Sequence, residues 1–277
     1  LSKNKNIIWI SQEVISTSQN KNYVTIKTVD HTYHSKFCFD STIDIAFYQP
    51  NQYVKILQHF KGYLIKFKEN LFNSDNFTLM DFTASYQNKT SFMYVLPLKS
   101  NIAFIEFTLF TAETLSEEIY DFYLNQYIKD KISDQPYEII ETENGIIPMT
   151  NFPFHQHNKD KILKIGTAGG WVRPSTGYSF KKTDFHVAQI IKNLKANDNL
   201  SKNILKPKYN LYDTLLLSIL KNENEKGPEL FTEMYQKNKI DLIFKFLDGT
   251  TTIFEDLKVI TSFKPFIFLR AIKREFF

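Results

Sequence analysis

The chain has 277 residues, of which 43% are hydrophobic and 23% are charged, and its formal net charge is +4. This balance argues against global disorder and supports a sizeable core, and the length suits one large domain or two ordinary ones. The Lys and Arg residues are dispersed, so no nucleic-acid binding is expected. The lone cysteine, Cys38, excludes an internal disulfide framework and fits a reducing cytoplasm.

Strand patterns dominate the first 110 residues. Short apolar runs alternate there with polar turns, and the predicted strands are 7–11, 23–29, 33–39, 54–57, 63–67, 92–96 and 102–110. Residues 97–101 predict a hairpin turn between the last two strands. No run approaches the roughly 20 apolar residues that a membrane-spanning helix needs.

Helices and further strands are predicted in the rest of the chain. Ser116 is the expected N-cap of a helix over 116–128, with Glu117 and Glu118 in its first turn. Residues 137–143 and 162–165 predict strands, and the polar stretch 195–210 is the best linker. Helical spacing then predicts helices over 212–220, 228–237, 240–246 and 263–274.

The stretch GTAGGWVRPSTGYSF, residues 166–180, predicts a small-residue loop between a strand and a helix. Ser175 or Thr176 is the expected N-cap. Glycines let a ligand contact the backbone, and a helix N-terminus favours anions such as phosphates. A plain turn of an α/β unit explains the pattern equally well.

Glu106 is the first candidate for chemistry. It lies in the predicted strand IAFIEFTLF, both faces of which are apolar. Burial raises the pKa of a carboxyl, which makes it a usable general acid near neutral pH. A structural Glu with a buried partner is the alternative.

Other polar residues give weaker signals. Glu143 ends a predicted strand just before Gly145 and suits a solvated turn, and Asp81 follows an apolar pair. His155 and His157 are two residues apart in a loop without a nearby third ligand, so no metal site is expected. The sequence contains no GxSxG, HExxH, P-loop or GxGxxG motif.

Four stretches together resemble the lycopene cyclase family of FAD-dependent carotenoid cyclases. They are LMDF (79–82), FMYVLPLKSNIAFIEFTLF (92–110), ENGIIPMT (143–150) and the glycine-containing loop. The helical end, with FLDGTT and SFKPFIFLRA, is also similar, so the resemblance covers nearly the whole chain.

The resemblance implies an α/β fold of mixed α+β type, in which a flavoprotein hydroxylase-like FAD domain is interleaved with a substrate domain. The expected parts are a β-meander remnant of the FAD domain at 1–44, a substrate-binding sheet at 45–150, the C-terminal half of the FAD site at 151–197 and a helical region at 198–277. The implied FAD-binding residues are Gly166, Thr167, Ala168, Gly169, Gly170, Pro174, Thr176, Gly177 and Tyr178.

The implied activity is closure of ionone-type rings at the ends of a linear carotene such as lycopene. This isomerase reaction is redox-neutral yet uses reduced FAD, with NADPH as the expected reductant. Glu106 would be the acid, and Glu143 a second polar group near the flavin or the cation. Because such a carotene resides in the bilayer, we expect a cytoplasmic protein that contacts the membrane surface peripherally. The basic, apolar tail 262–277 is the best candidate for this contact, and a core-packing helix is the alternative.

Three departures from the family pattern stand out. The N-terminal GxGxxG segment is missing and the chain starts at Leu1, so we expect the protein to begin further upstream. Thr167 stands where related flavoproteins often have Asp, and Phe107 where a second acid is common. Two other functions stay open: another FAD-dependent oxidoreductase acting on an apolar substrate, or a non-catalytic binder of isoprenoids or lipids.

Overall fold

A computed structural model describes residues 4–204 and 210–277. The predicted linker 195–210 includes 205–209, which lie outside the described residues. The chain divides into two compact units, each built from three segments. The first unit contains Leu1–Gln49, Pro153–Trp171 and Lys182–Lys206, and the second contains Pro50–Phe152, Val172–Lys181 and Pro207–Phe277.

The first unit contains two small sheets and most of one helix. β1 (Val14–Gln19), β2 (Val24–Thr28) and β3 (Thr32–Ser35) form an antiparallel meander, while β4 (Cys38–Asp40) pairs in parallel with β10 (Ile162–Lys164). Helix α2 (Phe180–Lys195) supplies Ile190 to a small core with Leu163 and Trp171.

The predicted strand at 7–11 is wrong. Those residues form no regular element, and Ile8 and Trp9 are 84% and 69% exposed. Apolar side chains stabilise a strand only where a neighbouring surface covers them, and these two side chains are largely uncovered. The first strand, β1, instead begins at Val14.

The second unit is built on a five-stranded antiparallel sheet in the order β6-β7-β8-β5-β9. Its strands are β5 (Lys55–Phe67), β6 (Thr78–Asp81), β7 (Ser91–Lys99), β8 (Ile102–Thr111) and β9 (Tyr137–Thr150). The predicted strands 54–57 and 63–67 are parts of the single strand β5. The polar residues between them obscured this continuity, yet Lys61 is buried and paired with Glu117 at 2.7 Å.

Helix α1 (Glu117–Tyr127) covers one face of this sheet. Odd-numbered residues of β8, such as Ile105 and Phe107, pack with Leu124 of the helix in one apolar cluster. Side chains alternate between faces along a strand, so the even-numbered residues, including Glu106, point to the opposite face. The fold therefore presents Glu106 away from α1.

Five helices complete the second unit: α3 (Asn210–Asn222), α4 (Gly227–Lys237), α5 (Ile240–Leu247), α6 (Ile253–Ile260) and α7 (Pro265–Phe276). They share a core with one end of the sheet, where Phe92, Phe110 and Met149 meet Leu217 and Phe231. Helix α6 was not predicted from the sequence, although a Thr252–Glu255 capping box marks its start.

Candidate active site

Glu106 lies near the middle of the five-stranded sheet. Its cross-strand neighbours are Tyr94 on β7 and Gly62 on β5, and Gly62 pairs in turn with Glu143 on β9. Residues that are directly opposite on antiparallel strands share a face. The two predicted carboxyl residues therefore flank a glycine on one face of the sheet.

The surroundings of Glu106 favour its protonated form. Glu106 is partly buried, and its pKa is raised to about 7, chiefly because burial removes water from the charged carboxylate. A hydrogen bond from Thr108 lowers the pKa, and the negative charge of Glu143 raises it. Glu143 is itself exposed. A carboxyl with a pKa near 7 can hold and donate a proton at neutral pH.

Two phenylalanine rings lie over glycines beside these carboxyls. A Cβ added at Gly62 would lie 2.9 Å from Cε2 of Phe104, and one at Gly145 would lie 2.5 Å from Cζ of Phe60. No side chain larger than hydrogen fits under either ring without displacing it. The glycines thus allow aromatic rings to lie close to the sheet around Glu106.

A tyrosine cluster adjoins the acid. Burial raises the pKa of Tyr94, Tyr178 and Tyr235, and the phenol of Tyr178 interacts with both of the others. Glu106 contributes to the raised pKa of Tyr94. Tyr178, predicted from the glycine-containing loop, therefore lies near the neighbour of the predicted acid.

The second half of the loop lies in the segment Val172–Lys181 of the second unit and is held by a buried network. Arg173 and Asp213 are each 2% exposed, and Nε of Arg173 donates to Oδ1 of Asp213 at 3.0 Å. The hydroxyl of Ser175 donates to the same oxygen at 2.5 Å. The Arg173 guanidinium also lies 4.8 Å from the centre of the Phe246 ring. These contacts tie the loop to helices α3 and α5.

The predicted helix start within this loop is wrong. Helix α2 begins at Phe180, several residues after Ser175 and Thr176. Pro174 and the residues after it form a compact turn, in which the Gly177 amide donates to the Arg173 carbonyl at 3.0 Å. The amides of Thr176 and Gly177 both donate to the Arg173 carbonyl, so Ser175 and Thr176 lie inside a closed turn and not at the start of a helix.

Two buried polar atoms near this turn fit a polar ligand. Among the described residues, Oε1 of Gln58 and Oγ1 of Thr176 have no hydrogen-bond partner. A Cβ at Gly177 would clash with that Gln58 oxygen, so the side chain of Gln58 lies directly against the turn. Buried polar atoms in folded proteins nearly always have partners. A bound molecule with hydrogen-bond donors would satisfy both atoms.

The first half of the loop belongs to the other unit. Gly166 has a φ of 59°, and nothing lies within 4 Å of the position where its Cβ would be. A Cβ at Gly169 would instead lie 2.8 Å from the carbonyl carbon of Lys164. Of these two glycines, Gly166 leaves open space for a ligand, whereas Gly169 accommodates the chain's own backbone.

The residues between these glycines form a short 3-10 turn, Gly166–Gly169. Ala168 is buried, and the carbonyl of Thr167 accepts a hydrogen bond from the Gly170 amide at 3.0 Å. Gly166 also lines an apolar cavity of about 500 Å³ together with Phe39, Ile165, Trp171, Ile190 and Leu194.

Two of the remaining polar candidates, Asp81 and His157, have structural partners. Asp81 accepts a hydrogen bond from the Tyr127 hydroxyl at 2.8 Å, and His157 lies 3.3 Å from Asp44. Over residues 4–204 and 210–277, no group of three His, Cys, Asp or Glu residues could hold a metal ion. These side chains stabilise the fold locally and add nothing to the face that carries Glu106.

Sequence reasoning missed several residues of the site. Thr108 and Gln58 share the face of Glu106 by strand alternation, so their positions follow once β5 and β8 are paired. Asp213 gave no local signal, because its pairing with Arg173 joins residues 40 positions apart.

The sequence and fold were compared with known proteins. A family model described as Lycopene cyclase protein matches residues 6–273, and no curated protein matches the chain. A geranylgeranyl bacteriochlorophyll reductase-like structure from Thermoplasma acidophilum is 13% identical, with a TM-score of 0.50, over 96% of this chain and 70% of that one. This likeness shows a shared mixed α/β fold.

Two flavoenzyme structures are also similar, with lower scores. A flavin-dependent brominase is 15% identical, with a TM-score of 0.49, over 95% of this chain and 69% of that one. The halogenase PltM in complex with phloroglucinol and FAD is 12% identical, with a TM-score of 0.46, over 86% of this chain and 54% of that one.

Proposed function

Because the chain belongs to the lycopene cyclase protein family, we propose that it closes ionone-type rings on a linear carotene such as lycopene, with Glu106 as the acid. One observation carries this proposal. Glu106 is a partly buried carboxyl with a pKa of about 7, and it lies on a sheet face rich in aromatic rings. A positioned acid with a pKa near the operating pH is suited to donating a proton to a reacting group.

The proposed reaction is an isomerisation in three steps. The proton of Glu106 moves to a terminal carbon–carbon double bond, whose π electrons form the new C–H bond and leave a tertiary cation. The π electrons of a second double bond then form the ring C–C bond, which moves the cation into the ring. Loss of a proton from the adjacent carbon restores a double bond, and the carboxylate of Glu106 or Glu143 accepts that proton. Atoms and electrons balance without net oxidation.

The aromatic rings near Glu106 suit a cationic intermediate. Phe104 lies over Gly62, which is directly opposite Glu106, and Phe60 is paired with Thr108. Ring faces attract cations electrostatically. Unlike water, phenylalanine offers no lone pair that would quench the cation. We therefore assign Phe60 and Phe104 to shielding and stabilising the charge.

The proposal includes FAD as the cofactor, with NADPH as its reductant. The unpartnered Gln58 and Thr176 oxygens fit a flavin, whose ring system and ribityl chain carry N–H and O–H donors. Pro174, Gly177 and Tyr178 would complete this part of the flavin site. In the other unit, Gly166, Thr167, Ala168, Gly169 and Gly170 remain the proposed flavin residues of the loop's first half. When bound, the reduced flavin would supply a negative charge that stabilises the cation.

A peripheral contact with the membrane is part of the same proposal, because a carotene resides in the bilayer. In the described ranges, no helix is long and apolar enough to span a membrane. Helix α7 buries Ile267 and Ala271 but leaves Phe266 and Leu269 exposed, at 73% and 56%. Large apolar residues on a basic helix suit an anionic bilayer surface. We assign the contact to this outer face.

The test is Glu106→Gln in the full-length protein, produced in cells that accumulate lycopene. A general acid contributes about 10²–10⁴-fold to rate, so cyclic products should fall by about 100-fold or more while the flavin absorbance remains. Glu143→Gln is the comparison variant and should have a smaller effect, since Glu143 is exposed and the Glu106 carboxylate can itself take the proton back. Substantial ring formation by Glu106→Gln would remove Glu106 from the role of acid. A colourless purified protein would contradict the flavin assignment.

A further inference from the structure

We propose that Thr108 is a positioning residue, whose hydroxyl holds Glu106 so that the transferable proton resides on Oε2. This inference rests on the proposed function of Glu106 as the acid. Oγ1 of Thr108 lies 2.6 Å from Oε1 of Glu106, two residues away on the same face of β8. The distance is that of a strong O–H···O hydrogen bond.

The direction of this hydrogen bond follows from burial. Thr108 is 0% exposed, so its hydroxyl hydrogen cannot reach water and needs an acceptor within the protein. In the part of the chain that the structure describes, the hydrogen bond of this hydroxyl is to Oε1 of Glu106. If Glu106 donated to Thr108 instead, the hydroxyl hydrogen would be buried without a partner. Thr108 therefore donates and Oε1 accepts.

The strand neighbours hold Thr108 in place. Its cross-strand partners are Phe60 on β5 and Phe92 on β7. Threonine is branched at Cβ, which restricts χ1, and bulky residues on both sides leave little room for another rotamer. The hydroxyl is thus fixed toward Glu106 before any substrate binds.

Two chemical consequences follow for the acid. The carbonyl oxygen of a carboxylic acid accepts a hydrogen bond better than its hydroxyl oxygen does, so with Oε1 accepting from Thr108 the neutral carboxyl carries its proton on Oε2. The same hydrogen bond stabilises the carboxylate formed after proton transfer. It therefore limits the rise in the pKa of Glu106 that burial causes, and keeps the group acidic enough to protonate an alkene.

The experiment is an infrared titration of the full-length protein, with Glu106→Gln as the blank that identifies the Glu106 carboxyl band. Thr108→Val removes the hydroxyl at nearly constant shape. It should raise the pKa of Glu106 by about 1, a tenfold change in acidity. It should also move the C=O stretching band of the protonated carboxyl to higher frequency, because Oε1 loses its donor. Thr108→Ser keeps the hydroxyl and should restore both values.

Cyclisation assays provide the second readout. In Thr108→Val the alkaline limb of the pH–rate profile should move up by about one pH unit while the plateau rate falls, and Thr108→Ser should behave like the natural protein. A merely structural role would lower the rate without moving the limb. If Thr108→Val does not fold, Thr108→Ala serves for the same titration.

The two proposals fail in different ways. An unchanged carboxyl band and pKa in a folded Thr108→Val or Thr108→Ala variant would overturn the role of Thr108. Full cyclisation by Glu106→Gln would overturn the acid assignment, yet the infrared result would still report the hydrogen bond.

Discussion

Removing the charge of Asp213 should strongly destabilise the second unit. Arg173 and Asp213 are each 2% exposed, and Asp213 accepts hydrogen bonds from both Arg173 and Ser175. The substitution Asp213→Asn keeps the shape but removes the negative charge that faces the buried Arg173 guanidinium. A buried cation is costly to leave uncompensated because the interior screens charge poorly.

The magnitude follows from the depth of burial. Breaking a buried ion pair by neutralising one partner costs about 3–5 kcal/mol. We expect the lower end, because the Phe246 carbonyl still accepts from Arg173 and the Phe246 ring still lies against the guanidinium. At about 2–4 °C per kcal/mol for a chain of this size class, the melting temperature should fall by roughly 6–12 °C.

Thermal unfolding followed by circular dichroism measures this change. The matched control is Asp248→Asn, the same substitution in a pair whose Lys181 side chain is 71% exposed, and it should shift the melting temperature far less. The double variant Arg173→Met/Asp213→Asn removes the buried positive charge as well and should melt above Asp213→Asn. Equal shifts for Asp213→Asn and Asp248→Asn would refute the reasoning.

Three further outcomes are expected. The free energy of unfolding of Glu106→Gln should rise relative to that of the natural protein by about 3 kcal/mol as pH rises from 4.5 to above 7. Denaturant unfolding across this pH range measures the change. A difference between the two proteins that does not vary with pH would contradict the raised pKa. Gly169→Val should destabilise the protein even without flavin, because its Cβ meets the Lys164 backbone, and a normal melting temperature would contradict this. The double variant Phe266→Ser/Leu269→Ser should weaken flotation with anionic liposomes at an unchanged melting temperature, because both side chains are exposed. Arg274→Glu is unsuitable for this test, since it would break a 3.1 Å ion pair with Glu223. Undiminished flotation of the double variant would place the membrane contact elsewhere.

The sequence predicted elements best where their apolar pattern was complete. The hairpin of β7 and β8 and the helices α1, α4 and α5 follow from alternation and helical spacing. Prediction from the sequence failed where contacts with distant segments decide the secondary structure. The polar middle of β5 interrupts the apolar pattern, and tertiary contacts such as the pairing of Lys61 with helix α1 make it compatible with a buried strand. Helix α6 has eight residues, as α5 does, and was missed although the capping box that starts it is visible in the sequence.

The candidate site was predictable only in part. An acid inside an apolar strand is visible in the sequence, and so are glycines that suit a ligand. The cross-strand register that brings Tyr94, Gly62 and Glu143 beside Glu106 depends on pairing between distant segments. Likewise, the Arg173 pairing that displaces the expected helix start to Phe180 depends on Asp213, far along the chain.

The burial that makes Glu106 a usable acid also costs stability. Its pKa rises from 4.5 to about 7 on folding. The free energy of unfolding is therefore highest below pH 4.5, where Glu106 is protonated in both states, and it falls as pH rises through 7. The pKa shift of His59 changes the free energy of unfolding with pH in the opposite direction. His59 is buried, and desolvation lowers its pKa from 6.5 to about 4, so stability is complete above pH 6.5 and declines as pH falls through 4. Between pH 4.5 and 6.5, Glu106 lowers and His59 raises the free energy of unfolding of the second unit as pH increases. The free energy of unfolding of the natural protein therefore varies little with pH in this range, although the pKa values of both groups are strongly shifted. Comparison with Glu106→Gln isolates the free energy that burial of Glu106 costs the fold.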